Sequence, residues 1–253
     1  MNIISPDVTI YREGDNLKKI EMICRICTDS QDKVGSDPSF LQKRWREGHG
    51  SVFEHLRVAI PENEAFPYIM QEDVTLPYGA LERIEWNDNA CFINGRDFLA
   101  LGGTLEELNK HPQDPLYITA RFVVDIGIAR ELIRHRQMSF TEKSTRYCKF
   151  DSGVDFILPI PNEWAEMWQN RIHTSAFQAW QSGCSCAENA YRKMRELGYP
   201  PQEARNVLPL STATVLYMSG TIKQWQEVIA LRTARGAHPQ MKYIMKKMEG
   251  LLK

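Results

Sequence analysis

Hydrophobic and polar positions follow two periods along the chain, which together predict alternating strands and helices. A period of two, typical of a half-buried strand, marks residues 3–11 and 117–125. Residues 52–60 begin as a helical turn and continue as a strand that Pro61 ends, and 211–217 form a further strand. The helical pattern predicts helices over 17–28, 39–46, 127–133, 162–197, 201–207, 222–233 and 239–252. Since no repeat or low-complexity linker interrupts this order, the sequence predicts one mixed α/β domain spanning residues 1–253.

The pattern becomes irregular between residues 61 and 115, where prolines interrupt it. Two apolar runs flank the polar residues 87–89, which we interpret as the tip of a hairpin. Thr104 begins a short helix that runs to Lys110, with Glu107 in the position required for a capping box. The apolar content indicates that this stretch is folded, and we interpret 61–115 as an inserted accessory segment of α/β character.

Composition and charge exclude several classes of protein. The 253 residues include 31 Lys and Arg against 32 Asp and Glu, a formal net charge of −1, and 43% are hydrophobic. These values are typical of a globular protein and disfavour a strongly basic nucleic-acid binder. No run approaches the about 18 apolar residues of a transmembrane helix, and residues 1–11 lack the basic region of a signal peptide. We therefore expect a cytoplasmic protein without a nucleic-acid or membrane partner.

The cysteines predict neither a disulfide framework nor a metal site. Six are present, at positions 24, 27, 91, 148, 184 and 186, and without a signal peptide a disulfide framework is not expected. Cys24 and Cys27 have the spacing of a redox motif or of half a zinc site, but Cys184 and Cys186 are poorly spaced to complete one. Because 17–28 also reads as an amphipathic helix, we favour buried helix thiols over metal or redox chemistry.

Candidate chemistry is densest in residues 130–146, which hold four arginines, a histidine, a lysine, two serines and two glutamates. Arg134 and Arg136 would diverge on a helix, whereas a loop or extended segment aims both inward. Guanidinium groups bind phosphate through two parallel hydrogen bonds, and backbone N–H groups beside Ser139 and Ser144 add donors. The stretch therefore indicates a site for a phosphorylated ligand, with a solvated charged turn as the alternative.

Two further clusters give weaker indications. Residues 48–55 place His49, Glu54 and His55 beside glycines, but the histidines lack the HExxH arrangement of a zinc hydrolase. A core or capping role for either histidine is at least as well supported as a ligand role. The third cluster runs from Arg205 through Arg232 to residue 240, and its arginines fit surface helix charges equally well.

The sequence Arg134-His-Arg-Gln-Met-Ser-Phe-Thr-Glu-Lys-Ser-Thr-Arg146 closely resembles the signature of flavin-dependent thymidylate synthases. That signature is Arg-His-Arg, two residues, Ser, a few residues, Ser, one residue and Arg, and its fixed spacing makes it highly specific. Residues 49–55 resemble the upstream histidine motif of this family, and 204–210 resemble its alanine-arginine-x-valine-leucine-proline segment. Arg232 and the residues around His238 resemble the terminal helix region. The resemblance covers residues 1–60 and 116–253.

This resemblance implies an enzyme that methylates dUMP to dTMP. Methylenetetrahydrofolate would supply the carbon, reduced FAD the hydride, and NADPH would re-reduce the flavin. The family fold is a mixed, largely antiparallel sheet flanked by helices, assembled as a homotetramer whose active sites draw on more than one chain.

The resemblance also implies residue roles, with no metal. Catalytic roles fall on Arg232, His49 and Ser144, and we favour binding over nucleophilic attack for Ser144 because the sequence places no base beside it. The implied FAD contacts are Ser51, Glu54, Arg134, His135, Arg136, Glu142, Thr221, Lys223, Glu227 and His238. The implied dUMP contacts are Glu131, Arg134, Glu142, Lys143, Ser144, Thr145, Arg146, Arg205 and Arg232.

Departures from the family pattern lie mostly on the cofactor side. Thr221, Lys223 and Glu227 replace residues with which the family often holds FAD, and Thr141 stands where asparagine is common. Two alternatives follow from these departures. One is a related enzyme that transfers a one-carbon unit to a pyrimidine nucleotide differently, for example by hydroxymethylation. The other is a nucleotide-binding regulator without activity, which retention of Arg232, His49 and Ser144 disfavours.

Overall fold

The computed structural model describes residues 1–69, 83–87, 89–159, 161–170 and 174–253, in which strands and helices alternate. The strands are β1 (Asn2–Ile4), β2 (Asp7–Ile10), β3 (Arg57–Pro61), β4 (Glu85–Trp86), β5 (Ala90–Asn94), β6 (Tyr117–Asp125), β7 (Ser139–Glu142), β8 (Asp155–Ile157) and β9 (Ala213–Thr221). The helices are α1 (Asn16–Arg25), α2 (Phe40–Arg46), α3 (Glu62–Ile69), α4 (Gly95–Ala100), α5 (Leu105–Lys110), α6 (Ile126–Leu132), α7 (Pro161–Gln169), α8 (Ser175–Glu196), α9 (Pro201–Ala204), α10 (Ile222–Thr233) and α11 (Pro239–Leu251). Short 3-10 helices cover Ile26–Thr28, Gln31–Lys33, Gly50–His55 and Arg205–Val207.

The central sheet has the strand order β2-β6-β9-β7, and all of its neighbouring strands are antiparallel. β6 and β9 form its axis, because they pair over nine residues from Tyr117–Thr221 to Asp125–Ala213. Alternate residues of these strands, such as Phe122 and Leu216, are buried beneath α6, α10 and α11. Trp225 of α10 is fully buried in this core, and its indole N–H donates to the Ile118 carbonyl at 3.0 Å. The core thus fixes α6 and α10, which carry site residues at their ends.

A second core joins the smaller sheet β3-β5-β4 to α1, α4 and α5. Ile93 and Phe98, from the segment 61–115, pack in it with Ile20 and Phe53, which lie outside that segment. All four side chains are at most 1% exposed. The segment therefore shares its apolar core with the N-terminal part of the chain.

The predicted fold class is confirmed, since the structure is a mixed α/β arrangement with a central antiparallel sheet flanked by helices. Strand 117–125 and helix 222–233 have the predicted bounds. The predicted hairpin forms between β4 and β5, although Asp88 at its tip lies outside the described residues. Thr104 and Glu107 make the predicted capping box at α5.

Two predicted elements are wrong because each is divided. Residues 3–11 form two strands that separate at Pro6, with β1 parallel to β8 and β2 antiparallel to β6 in another sheet. Proline has no N–H for a ladder, which suits a break between sheets. The single helix over 162–197 is two helices, α7 and α8. The hydroxyl of Thr174 accepts from the Phe177 amide at 3.3 Å and so begins α8 anew; residues 171–173 lie outside the described residues.

Within the described residues, no helix combines the length and the apolar character needed to span a membrane.

Candidate functional site

The first cavity, of about 500 Å³, lies where the end of β7 meets α6 and the segment that follows α9. Its lining residues are Ile126, Arg130, Glu142, Lys143, Ser144, Thr145, Arg205, Asn206, Leu208, Pro209 and Leu210. Residues 142–145 reach it because β7 pairs with β9 up to Glu142 and the chain then leaves the sheet. Arg205 reaches it from a 3-10 helix that continues α9. The fold thus joins five predicted substrate residues from two distant parts of the sequence.

The first cavity carries more positive than negative charge. Arg130, Lys143 and Arg205 face one lining carboxylate, Glu142. The Arg205 guanidinium donates through Nη1 to the Thr145 hydroxyl at 2.8 Å, whereas Lys143 forms an ion pair of 2.7 Å with Asp29 outside the cavity. An oriented guanidinium in a concave, cationic site is the arrangement that binds a phosphate group.

Glu142 is held inside this cavity as a partly buried carboxylate. Burial raises the pKa of Glu142, and both the hydrogen bond from Thr214 and the charge of Arg130 oppose that rise. The Thr214 hydroxyl donates to Glu142 Oε1 at 3.0 Å, and within the described part of the chain no hydrogen bond reaches the other carboxylate oxygen. A carboxylate in this state accepts a hydrogen bond from an N–H or O–H of a bound molecule.

In the described part of the chain, Ser144 hydrogen-bonds only with backbone groups. Its hydroxyl oxygen lies 3.3 Å from the Arg146 amide, and its own amide donates to the Cys27 carbonyl. Among the described residues, no imidazole or carboxylate hydrogen-bonds to this hydroxyl. Because a serine nucleophile needs an adjacent base, the geometry agrees with the binding role expected from the sequence.

Three predicted residues meet at the ends of α6 and α10. Arg232 Nε donates to His135 Nε2 at 2.9 Å, its Nη1 to Glu131 Oε2 at 2.9 Å, and its Nη2 to the Glu131 carbonyl at 2.7 Å. His135 accepts at Nε2, so that nitrogen carries no proton; burial, followed by the charge of Arg232, lowers the pKa of His135. Arg232 is therefore held in one orientation by a neutral imidazole and a glutamate.

A second cavity, of about 600 Å³, is lined by an earlier part of the signature segment, residues 136–139. Its lining residues are Glu54, Arg57, Arg83, Glu85, Asn94, Arg96, Tyr117, Arg136, Gln137, Met138, Ser139, Thr221 and Gln224. Three of them, Glu54, Arg136 and Thr221, are predicted cofactor contacts. Glu54 forms an ion pair with Arg96 of α4, and its carbonyl accepts from the Tyr117 hydroxyl at 2.8 Å.

A side chamber of about 340 Å³ continues from the second cavity, with which it shares Arg57, Glu85 and Thr221. Its remaining lining residues are Trp86, Asn87, Phe92, Asp114, Leu116, Ile222 and Lys223. Arg57 is 5% exposed, and among the described residues no group accepts a hydrogen bond from its Nε or Nη2. Glu85 and Asp114 lie within ion-pair distance of these donors, at 2.9 Å from Nη2 and 3.5 Å from Nε, without meeting the geometry of a hydrogen bond. The N–H directions of Arg57 are therefore open to a further acceptor.

Several predicted residues lie on the surface of the single chain, outside the linings of these cavities. His49 has a side chain that is 60% exposed, 3.8 Å from Glu47. Arg146 is exposed with its guanidinium 5.4 Å from the Tyr147 ring. The others that are exposed and outside the linings are Ser51, Arg134, Glu227 and His238; the last caps α11 by accepting from the Gln240 amide.

His55 has a core role, one of the two interpretations left open by the sequence. It is fully buried, with Nδ1 2.7 Å from the Ser219 hydroxyl and Nε2 2.9 Å from the Thr141 hydroxyl. Burial, aided by the charge of Lys19, lowers its pKa to about 3. A neutral His55 therefore links the 3-10 helix 50–55 to the central sheet through hydrogen bonds to Ser219 of β9 and Thr141 of β7.

The cysteines are free thiols, and no cluster of potential metal ligands occurs among the described residues. Cys24 in α1 and Cys27 in the 3-10 helix that follows are partly exposed, and they pack against two different hydrophobic clusters. Burial, followed by the proximity of Cys27, raises the pKa of Cys24 to about 12. A thiol with so high a pKa is a poor nucleophile at neutral pH, which agrees with the favoured helix-thiol interpretation.

The site includes residues that the sequence did not single out as contacts. Arg130 and Asn206 line the first cavity beside predicted residues, and their adjacency to Glu131 and Arg205 is the sign that points to them. Arg57, Arg83 and Arg96 line the second cavity. No motif marks these three, because the fold brings them to the cavity from β3 and from the segment 61–115.

Comparison with known proteins identifies a family. A family model described as "Thymidylate synthase complementing protein" matches residues 105–253, which include the signature but not the segment around His49. A probable flavin-dependent thymidylate synthase of Paramecium bursaria Chlorella virus 1 is 28% identical over 155 residues, 53% of this chain and 67% of that protein. The flavin-dependent thymidylate synthase of Haloarcula marismortui is 27% identical over 150 residues, 51% of this chain and 60% of that protein.

A solved structure of a UMP/dUMP methylase from Streptomyces cacaoi, bound with 5-Br UMP, covers 100% of this chain and 91% of its own, with 18% identity and a TM-score of 0.49. The alignments with the two curated relatives above span about two thirds of their length or less.

Proposed function

The chain belongs to the family of thymidylate synthase complementing proteins, the flavin-dependent thymidylate synthases, and from that premise we propose that it methylates dUMP to dTMP. Methylenetetrahydrofolate is the proposed carbon donor and NADPH the proposed reductant. Bound FAD would supply the hydride chemistry that side chains lack. The residues of the chain bind, orient and polarise the reactants.

The observation that carries this proposal is the convergence of the signature with Arg205 in the first cavity. Lys143, Ser144 and Thr145 line it opposite Arg205, although they are separated from it by 60 or more residues in the sequence. We assign the dUMP phosphate to Arg205 together with the donors of the 143–146 loop, and Arg146 would join them from the rim. Charge-assisted hydrogen bonds from several groups to one phosphate account for the clustering.

Arg232 is proposed to stabilise negative charge on the pyrimidine as its carbon becomes nucleophilic. Its three hydrogen bonds to Glu131 and His135 fix the plane of the guanidinium before the substrate binds. Donors that are already oriented lower a barrier without reorganisation during the reaction. Glu142 would accept a hydrogen bond from the nucleotide, and Ser144 would bind it.

The flavin is assigned to the second cavity and its side chamber. Glu54, Arg136 and Thr221 line the former, and Lys223 lines the latter. Their mixture of carboxylate, guanidinium, hydroxyl and ammonium groups suits a polar dinucleotide. The hydrogen bond from Arg232 holds His135. We assign His135 a position between the nucleotide and the flavin.

The exposed positions of His49, Ser51 and Arg134 support a homotetramer with shared active sites. These residues are open to solvent in the single chain, although the family resemblance gives His49 a catalytic role and makes Ser51 and Arg134 FAD contacts. A neighbouring subunit that covers this surface would enclose them against its own bound ligands. Glu227 and His238, in the C-terminal part of the chain, are also exposed. We propose that a neighbouring subunit encloses them as well.

The test is conversion of dUMP to dTMP in the presence of methylenetetrahydrofolate, FAD and NADPH, with each omitted in turn. We expect the purified protein to carry bound flavin that absorbs at about 450 nm. dTMP should form only when methylenetetrahydrofolate and NADPH are both present, and it should require added FAD only after the bound flavin has been removed. Tight dUMP binding without turnover, with flavin bound and reduced, would contradict the proposal. Formation of a hydroxymethylated nucleotide would replace it with the alternative one-carbon transfer.

A further inference from the structure

Arg57 is the most deeply buried arginine that lines either cavity. It is the first residue of β3, and the pairing of β3 with β5 at Arg57–Asn94 fixes its backbone. The side chain is 5% exposed, and its Nε and Nη2 have no hydrogen-bond acceptor among the described residues. Guanidinium donors that are buried without acceptors cost free energy unless a ligand or water satisfies them. Arg57 therefore belongs to the wall shared by the second cavity and the side chamber, and two of its N–H groups have no hydrogen-bond acceptor among the described residues.

Two carboxylates lie near Arg57 without meeting its N–H directions. Glu85 Oε2 is 2.9 Å from Nη2, and Asp114 Oδ2 is 3.5 Å from Nε. Both are within ion-pair distance, but neither is placed to accept a linear hydrogen bond. Asp114 is buried, whereas the Glu85 side chain is 68% exposed on the two-residue strand β4. Glu85 can thus move away from Arg57 at little cost, and Asp114 cannot.

The space in front of Arg57 also offers a flat surface and a second cation. Phe92 lies with its ring centroid 5.6 Å from the Arg57 guanidinium, and Trp86 and Lys223 line the same chamber. Aromatic rings beside cationic groups favour a ligand that joins a flat ring system to an anionic group.

We propose that Arg57 is the centre of an anion subsite for the diphosphate of the bound dinucleotide cofactor, and that Glu85 holds this position until the ligand displaces it. The anion would receive the Nε and Nη2 hydrogen bonds that no carboxylate of the described chain accepts. The assignment to FAD depends on the proposed function; the anion subsite itself depends only on Arg57 and its surroundings. The glutamate carboxylates of the folate are the other source of such an anion, and the experiment separates the two.

The first experiment measures dissociation constants of FAD, FMN and riboflavin by quenching of flavin fluorescence, for the full chain and for Glu85→Gln. Removal of the competing charge should tighten FAD binding about five-fold, the size expected for an exposed ion pair, and leave riboflavin unchanged. Glu106→Gln is the matched control, since Glu106 is an exposed, ion-paired glutamate on α5 outside both cavities. Binding of methylenetetrahydrofolate by the same proteins is measured by calorimetry. Equal FAD affinity in all three proteins would overturn the proposal. So would a Glu85→Gln protein that binds methylenetetrahydrofolate, but not FAD, more tightly.

The second experiment uses inorganic pyrophosphate, followed by calorimetry, and does not depend on flavin binding. We expect Glu85→Gln to bind pyrophosphate more tightly than the unmodified chain, and Arg57→Lys to bind it about ten-fold more weakly because the planar fork is lost. Arg57→Gln should abolish binding; if that variant fails to fold beside Asp114, Arg57→Lys decides alone. If the chain binds no flavin, the proposed function fails, while pyrophosphate binding that depends on Arg57 and Glu85 would still establish the anion subsite. No pyrophosphate binding, or binding that Arg57→Lys leaves unchanged, would overturn it.

Discussion

Arg232 donates a hydrogen bond from Nε to Nε2 of His135 at 2.9 Å, across 97 residues of sequence. The contact joins the C-terminal end of α10 to the loop after α6, and it requires a neutral imidazole. Because burial and the arginine both lower the pKa of His135, the imidazole stays an acceptor at neutral pH. The guanidinium is therefore oriented by the protein alone, before any ligand arrives.

This orientation predicts a loss of rate when the planar group is replaced. Arg232→Lys keeps a positive charge but cannot contact His135 and both Glu131 oxygens at once, so we expect the methylation rate to fall by about 10²-fold or more. Single-turnover reactions started from pre-reduced flavin isolate this step. Arg235→Lys, at an exposed arginine nearby, is the control. A normal single-turnover rate with only a raised dUMP requirement would make Arg232 a substrate clamp.

A second prediction concerns the hydroxyl that positions Arg205. Thr145→Val removes the hydroxyl that accepts the 2.8 Å hydrogen bond from Arg205 Nη1 without much change of volume. We expect dUMP to bind about five- to ten-fold more weakly because Arg205 must then be ordered by the ligand. Thr145→Ser retains the hydroxyl and should bind dUMP normally. Titration calorimetry gives both constants. Equal weakening in the two variants would show that the threonine methyl group, and not the hydrogen bond, is what matters.

The two arginines assigned to the phosphate, Arg205 and Arg146, should contribute unequally to the affinity for dUMP. Arg205 lines the first cavity, whereas Arg146 is exposed beside Tyr147. We expect Arg205→Ala to weaken dUMP binding by about 2–4 kcal/mol, since a phosphate in the cavity loses a charged partner, and Arg146→Ala to cost less. Dissociation constants of dUMP measured for both variants provide the comparison. Unchanged binding in Arg146→Ala would remove Arg146 from the substrate contacts.

Sequence patterns predict correctly those helices and strands whose ends carry capping residues or whose apolar residues recur with a regular period. A Thr221–Gln224 capping box marks the start of helix 222–233, and buried residues alternate with more exposed ones over residues 120–124 of strand 117–125. The break at Pro6 was missed because it depends on which distant strands β1 and β2 join. Residues 142–145 were found because they are contiguous, whereas Arg57 is significant only through its burial, which no local pattern encodes.

The depressed pKa of His55 predicts a dependence of stability on pH. In the folded chain the pKa is about 3, and in the unfolded chain it is about 6.5. Between these two pKa values the unfolded state binds one more proton than the folded state. The contribution of a neutral His55 to the free energy of unfolding is therefore fully present above about pH 6.5. As the pH falls from there towards about 3, the free energy of unfolding decreases by about 1.4 kcal/mol per pH unit. Urea unfolding of the chain and of His55→Asn at pH 5 to 7 measures this contribution as the difference in slope. His49→Asn, at an exposed histidine, should leave the slope unchanged, and an identical slope in His55→Asn would contradict the prediction.

The packing of the segment 61–115 predicts that it unfolds together with the rest of the chain. Phe98 is fully buried in the core that also holds Ile20 and Phe53, so Phe98→Ala leaves a cavity in a structure shared by both parts. We expect a loss of about 3–5 kcal/mol in the free energy of unfolding, within one cooperative transition followed by both far-ultraviolet circular dichroism and tryptophan fluorescence. Leu116→Ala, at a leucine that is 59% exposed, should change stability by less than about 0.5 kcal/mol. If Phe98→Ala instead produced a separate early transition with the main one unchanged, the segment would be an independent appendage whose contacts with the N-terminal residues contribute little to the stability of the site.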